Sequence, residues 1–290
     1  MFKYCPVNTY SLANLENNQL FLNHVSFFND PFECMCEVLY GFPKLEDRSE
    51  RLINVLNAWG FSDPDEDPVV ELYGEYAESL SEPKIDNLIE SARIGCFSSR
   101  GTNLLMWTHY ADGLKGYCIE FDRDLIIPEE RDARVHQVLY ADKPSVIDAS
   151  VMAVLYDQLD YNSDAYFEVS AQAKCYGKDL SGELSIYEDG FEEASDRIRE
   201  IYQKMLATKP LPWGYEEELR IIDFAQRTSS LGELMPYSLN AIKSVVIGEK
   251  MAPENQEFIK AVIQNKNSGI RLKKAVRVAG SFEIHLVDLD

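Results

Sequence analysis

The residue types best suited to chemistry gather in three short polar segments. The most distinctive is Trp213-Gly214-Tyr215-Glu216-Glu217-Glu218-Leu219-Arg220-Ile221-Ile222. Read as a strand, it puts Glu216, Glu218 and Arg220 on one face. Glu217, Leu219 and Ile221 take the other, mostly apolar face, which meets the core. Two carboxylates so close repel, so one holds its proton more tightly. Such a pair suits an oxocarbenium-like transition state: one carboxylate accepts a hydrogen bond from a sugar hydroxyl and stabilises the growing cation, while the other orients the acceptor. The plainer alternative is an exposed Glu–Arg ion pair worth little energetically. Three consecutive glutamates also allow a register one residue away, which would exchange the faces. The alternation of Leu219 and Ile221 favours the first register.

The second segment is Met106-Trp107-Thr108-His109-Tyr110-Ala111-Asp112. On a helix, Trp107 and Tyr110 share a face and could stack a planar ring such as nicotinamide or adenine. His109 is a residue type that could hydrogen-bond or move a proton. The alternative is an aromatic packing cluster with a satisfied histidine. The third segment, Ser26-Phe27-Phe28-Asn29-Asp30-Pro31-Phe32-Glu33, contains a strong turn signal. Pro31 fixes its own φ and biases Asp30 away from the helix. The turn either presents Asn29 and Asp30 to a ligand or only caps its own backbone.

Composition narrows the function classes. The chain has 290 residues, 49 acidic against 28 basic, and a formal net charge of −21. That surface repels phosphate backbones and anionic membranes. The one compact basic run, Arg271, Lys273, Lys274 and Arg277, reads as a solvated strand face. Six scattered cysteines without a C-x-x-C pair read as free thiols of a cytoplasmic protein, with Cys96 and Cys118 in the core. Cys34 and Cys36 share a face if extended. The four histidines make no zinc pattern, so no metal is expected. No signal peptide and no membrane-length apolar stretch is evident.

The elements that must position these residues follow from periodicity. Strands are expected at 1–5, 20–25, 93–98, 116–121, 134–140, 217–224 and 243–248, with one or two more over about 270–287. Helices are expected at 11–17 with Ser11 as cap, at 45–58, 68–92, 103–112, 145–176 and 191–208, and at 252–264 with Phe258, Ile259, Val262 and Ile263 inward. No Gly-rich phosphate loop appears. The expectation is a single α+β domain over 1–290, with a central, mostly antiparallel sheet and helical insertions at about 45–92 and 145–208.

Lys3-Tyr4, Phe28-Asn29-Asp30-Pro31-Phe32-Glu33, Cys96-Phe97-Ser98, Trp107-Thr108-His109-Tyr110-Ala111 and Trp213 to Arg220 occur in an order that resembles a large bacterial family catalogued only as a domain of unknown function. The resemblance runs from residue 1 to about 250. A second resemblance is to the ADP-ribosyltransferase fold, a split sheet with a late Glu-x-Glu strand. It implies NAD as the bound nucleotide, Glu218 as the catalytic carboxylate with Glu216 its partner, and His109 or Tyr110 at the nicotinamide end. Lys3 or Tyr4 on the first strand and Ser26 on the second would contact NAD, beside Asn29, Asp30, Trp107 and Arg220. The chain lacks a Ser-Thr-Ser motif, and its first strand has Lys-Tyr where Arg or His is common. By the same resemblance, the protein would act as a toxin or phage-defence effector on a protein or nucleic-acid acceptor, with an antitoxin or other partner. The rival expectation is a non-catalytic nucleotide- or signal-binding module. A metal-dependent hydrolase using Asp30 lacks a clustered carboxylate motif.

Overall fold

Strand-forming alternation at both ends of the chain resolves into one large sheet. The computed structural model describes residues 1–224, 232–266 and 269–289. In chain order the strands are β1 Phe2–Cys5, β2 Gln19–His24, β3 Cys36–Leu39, β4 Arg93–Ser98, β5 Tyr117–Phe121, β6 Ala133–Gln137, β7 Leu139–Ala141, β8 Ser145–Asp148, β9 Thr208–Pro210, β10 Glu218–Asp223, β11 Gly232–Pro236, β12 Ile242–Gly248, β13 Arg271–Arg277 and β14 Ile284–Asp288. The helices are α1 Thr9–Asn17, α2 Glu50–Trp59, α3 Asp67–Ser79, α4 Ile85–Ser91, α5 Leu104–Tyr110, α6 Ala149–Tyr176, α7 Ser181–Leu206 and α8 Pro253–Lys266. The fold is α+β with a mostly antiparallel open sheet. No described helix is long and apolar enough to cross a membrane.

The chain divides into two compact units. Met1–Cys34, Ile89–Lys143 and Ala207–Asp290 form the first; Met35–Leu88 and Pro144–Leu206 form the second. The first holds a ten-stranded sheet. β4 is its branch point. β10 pairs along one whole edge of β4, from Glu218 opposite Ser98 to Asp223 opposite Arg93, and β6 pairs beyond β10. The other edge of β4 is shared. β2 pairs at Arg93 and Ile94, β1 pairs at Ser98, and Gly95, Cys96 and Phe97 lie between them. β11 continues the β2 limb, and β5, β12, β13 and β14 continue the β1 limb. The sheet is therefore split where β1 and β2 diverge.

Leu219 and Ile221 lie opposite Phe97 and Gly95 and point into the main core with Leu15, Leu22, Ile119 and Val245. The opposite face carries a smaller core of Tyr4, Met106, Trp107, Cys118 and Val246. In the second unit, α2, α3, α6 and α7 bury Leu52, Val55, Leu56, Val69, Val154, Leu155 and Ile198. β3 and β8 form a parallel pair there.

Several elements differ from the sequence expectation. The cap of α1 is Asn8, whose side chain accepts from Ser11 N; Ser11 is the reciprocal partner of a capping box. The helix expected over 68–92 breaks after Ser79, because Pro83 cannot continue it. Residues 145–148 are extended, consistent with β-branched Val146 and Ile147, and α6 starts after the Asp148 cap. α7 begins at Ser181, not near 191. Phe258 is 38% exposed. Cys34 takes a left-handed φ of 55°, so it does not share an extended face with Cys36.

Candidate functional site

Three connections bring the polar segments together in the first unit. The first is the β4–β10 pairing. Glu218 lies opposite Ser98 and Arg220 opposite Cys96, so all four share the face away from the main core. This is the register that the Leu219–Ile221 alternation favours. The second is the turn before β10. Leu211–Glu216 is a 3₁₀ segment, and Glu217 follows it with φ 45° and ψ 52°. That left-handed residue swings its own side chain away, to Arg100 and Ser99 Oγ. It delivers Glu216 to the same place as Glu218, so a turn and not strand alternation joins the pair. Ser98 Oγ fixes this turn by donating to Glu216 O at 2.7 Å. The third connection is the short parallel pair of β7 and β9, where Tyr140 is in register with Lys209.

These elements assemble a buried ionic network. Lys209 Nζ donates to Glu216 Oε2 at 2.6 Å and to Glu218 Oε2 at 3.0 Å. Arg220 Nε donates to Glu218 Oε1 at 2.9 Å, and its Nη1 to Glu33 Oε1 at 2.5 Å. Tyr110 Oη donates to Glu216 Oε1 at 2.5 Å. The Tyr140 hydroxyl accepts from Glu218 N at 2.9 Å. Lys209 lies over the Trp213 ring at 4.7 Å and the Arg220 guanidinium over Phe28 at 5.7 Å. Three carboxylates face two cations here, which leaves one net negative charge when all are ionised.

The environment shifts the pKa values of the two glutamates in opposite directions. Burial penalises the charge of Glu218, but Arg220 and Lys209 outweigh it and hold the carboxyl below its usual range. Among the described residues Glu216 has no arginine partner; burial raises its pKa despite Lys209. Burial opposes the charge of Lys209, yet Glu218 and Glu216 together raise its pKa. Burial and then Glu216 raise the Tyr110 phenol. Burial and the nearby Glu218 also raise Cys96 well above the usual thiol range, so it stays protonated. Cys96 is half-buried in a cavity wall and not a core residue.

A cavity of about 390 Å³ opens onto this network. Six of the residues singled out from sequence line it: Lys3, Tyr4, Asn29, Tyr110, Glu216 and Glu218. The other five do not. Trp107 is fully buried, donates to Gly101 O and packs edge-on against Tyr4, so it cannot stack a ligand. His109 is exposed, with its ring 6.2 Å from that of Tyr215. Ser26 is exposed and bonded to His24 Nδ1. Asp30 is buried within its turn, where Oδ1 accepts from Phe32 N. Arg220 is wholly buried and acts through Glu218 and Glu33. Sequence reasoning missed Lys209 and Glu33 as network members, and Asn23, Phe28 and Cys96 as cavity wall. A signal for Lys209 was its isolation in the apolar stretch Leu206-Ala207-Thr208-Lys209-Pro210-Leu211.

Among the described residues, no group of three His, Cys, Asp or Glu side chains is placed to hold a metal ion. Residues 106–221 match the family model described as "Protein of unknown function (DUF2971)". That interval contains Tyr110, Lys209, Glu216, Glu218 and Arg220, and leaves out Lys3, Asn29 and Glu33. It is shorter than the span of residue 1 to about 250 expected from the motifs. No curated protein and no solved structure matches the chain.

Proposed function

We propose that the protein is an NAD-dependent, ADP-ribosyltransferase-like enzyme that cleaves the nicotinamide–ribose bond in the cavity beside Glu218. The observation that carries this reading is a pair of converging carboxylates with opposite proton affinities in the wall of a 390 Å³ cavity. When the bond between the nicotinamide nitrogen and the ribose C1′ breaks, its electrons leave with neutral nicotinamide. The sugar carbon becomes cationic, and the ionised Glu218 carboxylate faces it. Glu216 has the higher proton affinity and is held by Tyr110 and Lys209; it orients the acceptor hydroxyl or water and takes its proton. Asn29, at the cavity wall and in reach of the Tyr110 hydroxyl, would bind the carboxamide. The acceptor would be a protein, a nucleic acid or water; the net charge of −21 disfavours nucleic acid. A toxin or phage-defence role in the cytoplasm, restrained by an antitoxin or other partner, belongs to the same proposal.

One observation favours a second reading. Each carboxylate oxygen of Glu216 and Glu218 already accepts an internal hydrogen bond. A network so well satisfied also suits a module that binds a nucleotide without breaking it.

The test is incubation of the purified protein with NAD⁺, following nicotinamide release for wild type and Glu218→Gln. Transferase chemistry predicts release that falls about 100-fold or more in the variant. A binding module predicts no release from either protein, with an NAD⁺-dependent rise in Tm that Glu218→Gln reduces.

A further inference from the structure

A second cavity, of about 730 Å³, lies mainly on the other face of the sheet. Its floor is Leu15, Leu20 and Ile119, which belong to the main core. The two cavities share Lys3, Tyr4 and Asn23 as lining, residues of the two strands that diverge at the split in the sheet. The side chain of Lys3 stands at this junction. Its Nζ donates to Cys96 O at 2.9 Å, a carbonyl in the stretch of β4 between the two diverging strands, and sits 5.3 Å from the Phe97 ring centre. Lys3 makes no ion pair among the described residues.

The chemistry of the larger cavity is unusual for this chain. The protein carries 49 acidic residues, yet among the described residues none lines this cavity, and Lys3 is the one charged residue that does. An anion can therefore enter without meeting a carboxylate. Three wall amides, Asn14, Gln19 and Asn23, make no side-chain hydrogen bond among the described residues. A side-chain amide presents a donor and an acceptor side by side, which matches the edge of a purine. Tyr10, at the rim and 84% exposed, offers a ring face for stacking.

We propose that the larger cavity binds a purine nucleotide, its base held by Asn14 and Gln19 and its diphosphate by Lys3. A diphosphate-linked dinucleotide would then straddle the sheet through the gap between β1 and β2, with its second nucleoside at Glu218. The purine site stands by itself; the second nucleoside rests on the function proposed above. The arrangement also accounts for the small volume beside Glu218, which sits low in the usual range of about 300–1,000 Å³ for ligand sites.

The experiment is calorimetric titration with ADP and, separately, with nicotinamide riboside. The proteins are wild type, Asn14→Leu, Gln19→Leu, Lys3→Met and Glu218→Gln, each first shown to melt cooperatively. ADP binding is expected to weaken about tenfold in each of Asn14→Leu, Gln19→Leu and Lys3→Met, and to persist in Glu218→Gln. Nicotinamide riboside binding is expected to show the reverse pattern. Failure of ADP to bind wild type, or ADP binding that ignores both amide variants, overturns the purine site. ADP binding that depends on Asn14, with no nicotinamide riboside binding and no nicotinamide release, upholds the purine site and removes the NAD reading.

Discussion

Lys209 Nζ lies 3.0 Å from Glu218 Oε2, with the two side chains only 5% and 3% exposed. Neither charge is stable at such burial without the other, because solvent cannot replace the missing partner. Glu216 shares the same ammonium, so Lys209 neutralises two carboxylates at once. Lys209→Met leaves Glu218 with Arg220 and Glu216 with the Tyr110 hydroxyl in place of a cation, and is expected to cost about 3–5 kcal/mol. Adding Glu216→Gln should return part of that loss, since a neutral amide needs no counter-charge. Urea unfolding of the single and double variants measures both terms. A single-variant cost below about 1 kcal/mol, the range of exposed pairs, would contradict the burial of this network.

The pair should also separate by pH. The folded-state pKa of Glu218 is depressed, so its stabilisation is present above the unfolded value, about 4.3, and is lost as pH falls through the folded value. The Tm gap between wild type and Glu218→Gln should therefore be wide at pH 7 and shrink below about pH 4. The folded-state pKa of Glu216 is raised, so its contribution is present below the unfolded value and is lost as pH rises through the folded value. Glu216→Gln should lower Tm more at acid pH than at neutral pH. Melting curves across this range would show the two gaps moving in opposite directions; parallel movement would refute the assignment.

Glu217 has a backbone cost that its side chain does not obviously repay. It sits at φ 45° and ψ 52°, and its contacts to Arg100 and Ser99 are largely exposed. For an L-residue this region costs roughly 1–2 kcal/mol, and a β-branched side chain fits it worst. Glu217→Gly should match or exceed wild-type stability, and Glu217→Val should lose more than 1 kcal/mol, about the size of that penalty. Equal stability of the two variants, read by thermal melting, would mean that the turn does not require this conformation.

Much of the sheet was legible because alternation marks β2 and short, largely apolar runs mark β1, β4, β5 and β12. The same rule placed Glu218 and Arg220 on one face. What stayed hidden depends on contacts distant in sequence. Lys209 joins the network through β9, which pairs with β7 from far up the chain; each strand is three residues long and leaves no periodic trace. Glu216 arrives through a left-handed conformation at Glu217, a position that glycine does not occupy in this chain. The split at β4 is a matter of which strand pairs at which residue, and alternation carries no such information.

Trp107 and Tyr110 show the same limit within one helix. They lie three residues apart on α5, and sequence alone made both candidates for stacking a ring. Trp107 is wholly buried, with its Nε1 donating to Gly101 O at 2.9 Å. Tyr110 lines the cavity and donates to Glu216. Trp107→Ala should therefore cost about 3–5 kcal/mol of stability through the cavity it leaves. Tyr110→Phe removes one hydroxyl and should cost about 1 kcal/mol. Function should follow the opposite order. Tyr110→Phe is expected to slow nicotinamide release and raise the proton affinity of Glu216 further, because the carboxylate loses a donor. His109→Ala, at an exposed position outside the cavity, should leave release unchanged. Release assays on the folded variants, run beside their melting curves, decide the point. A Tyr110→Phe protein with wild-type rate and pH profile would remove the phenol from the site and leave Lys209 as the sole hydrogen-bond partner of Glu216 there.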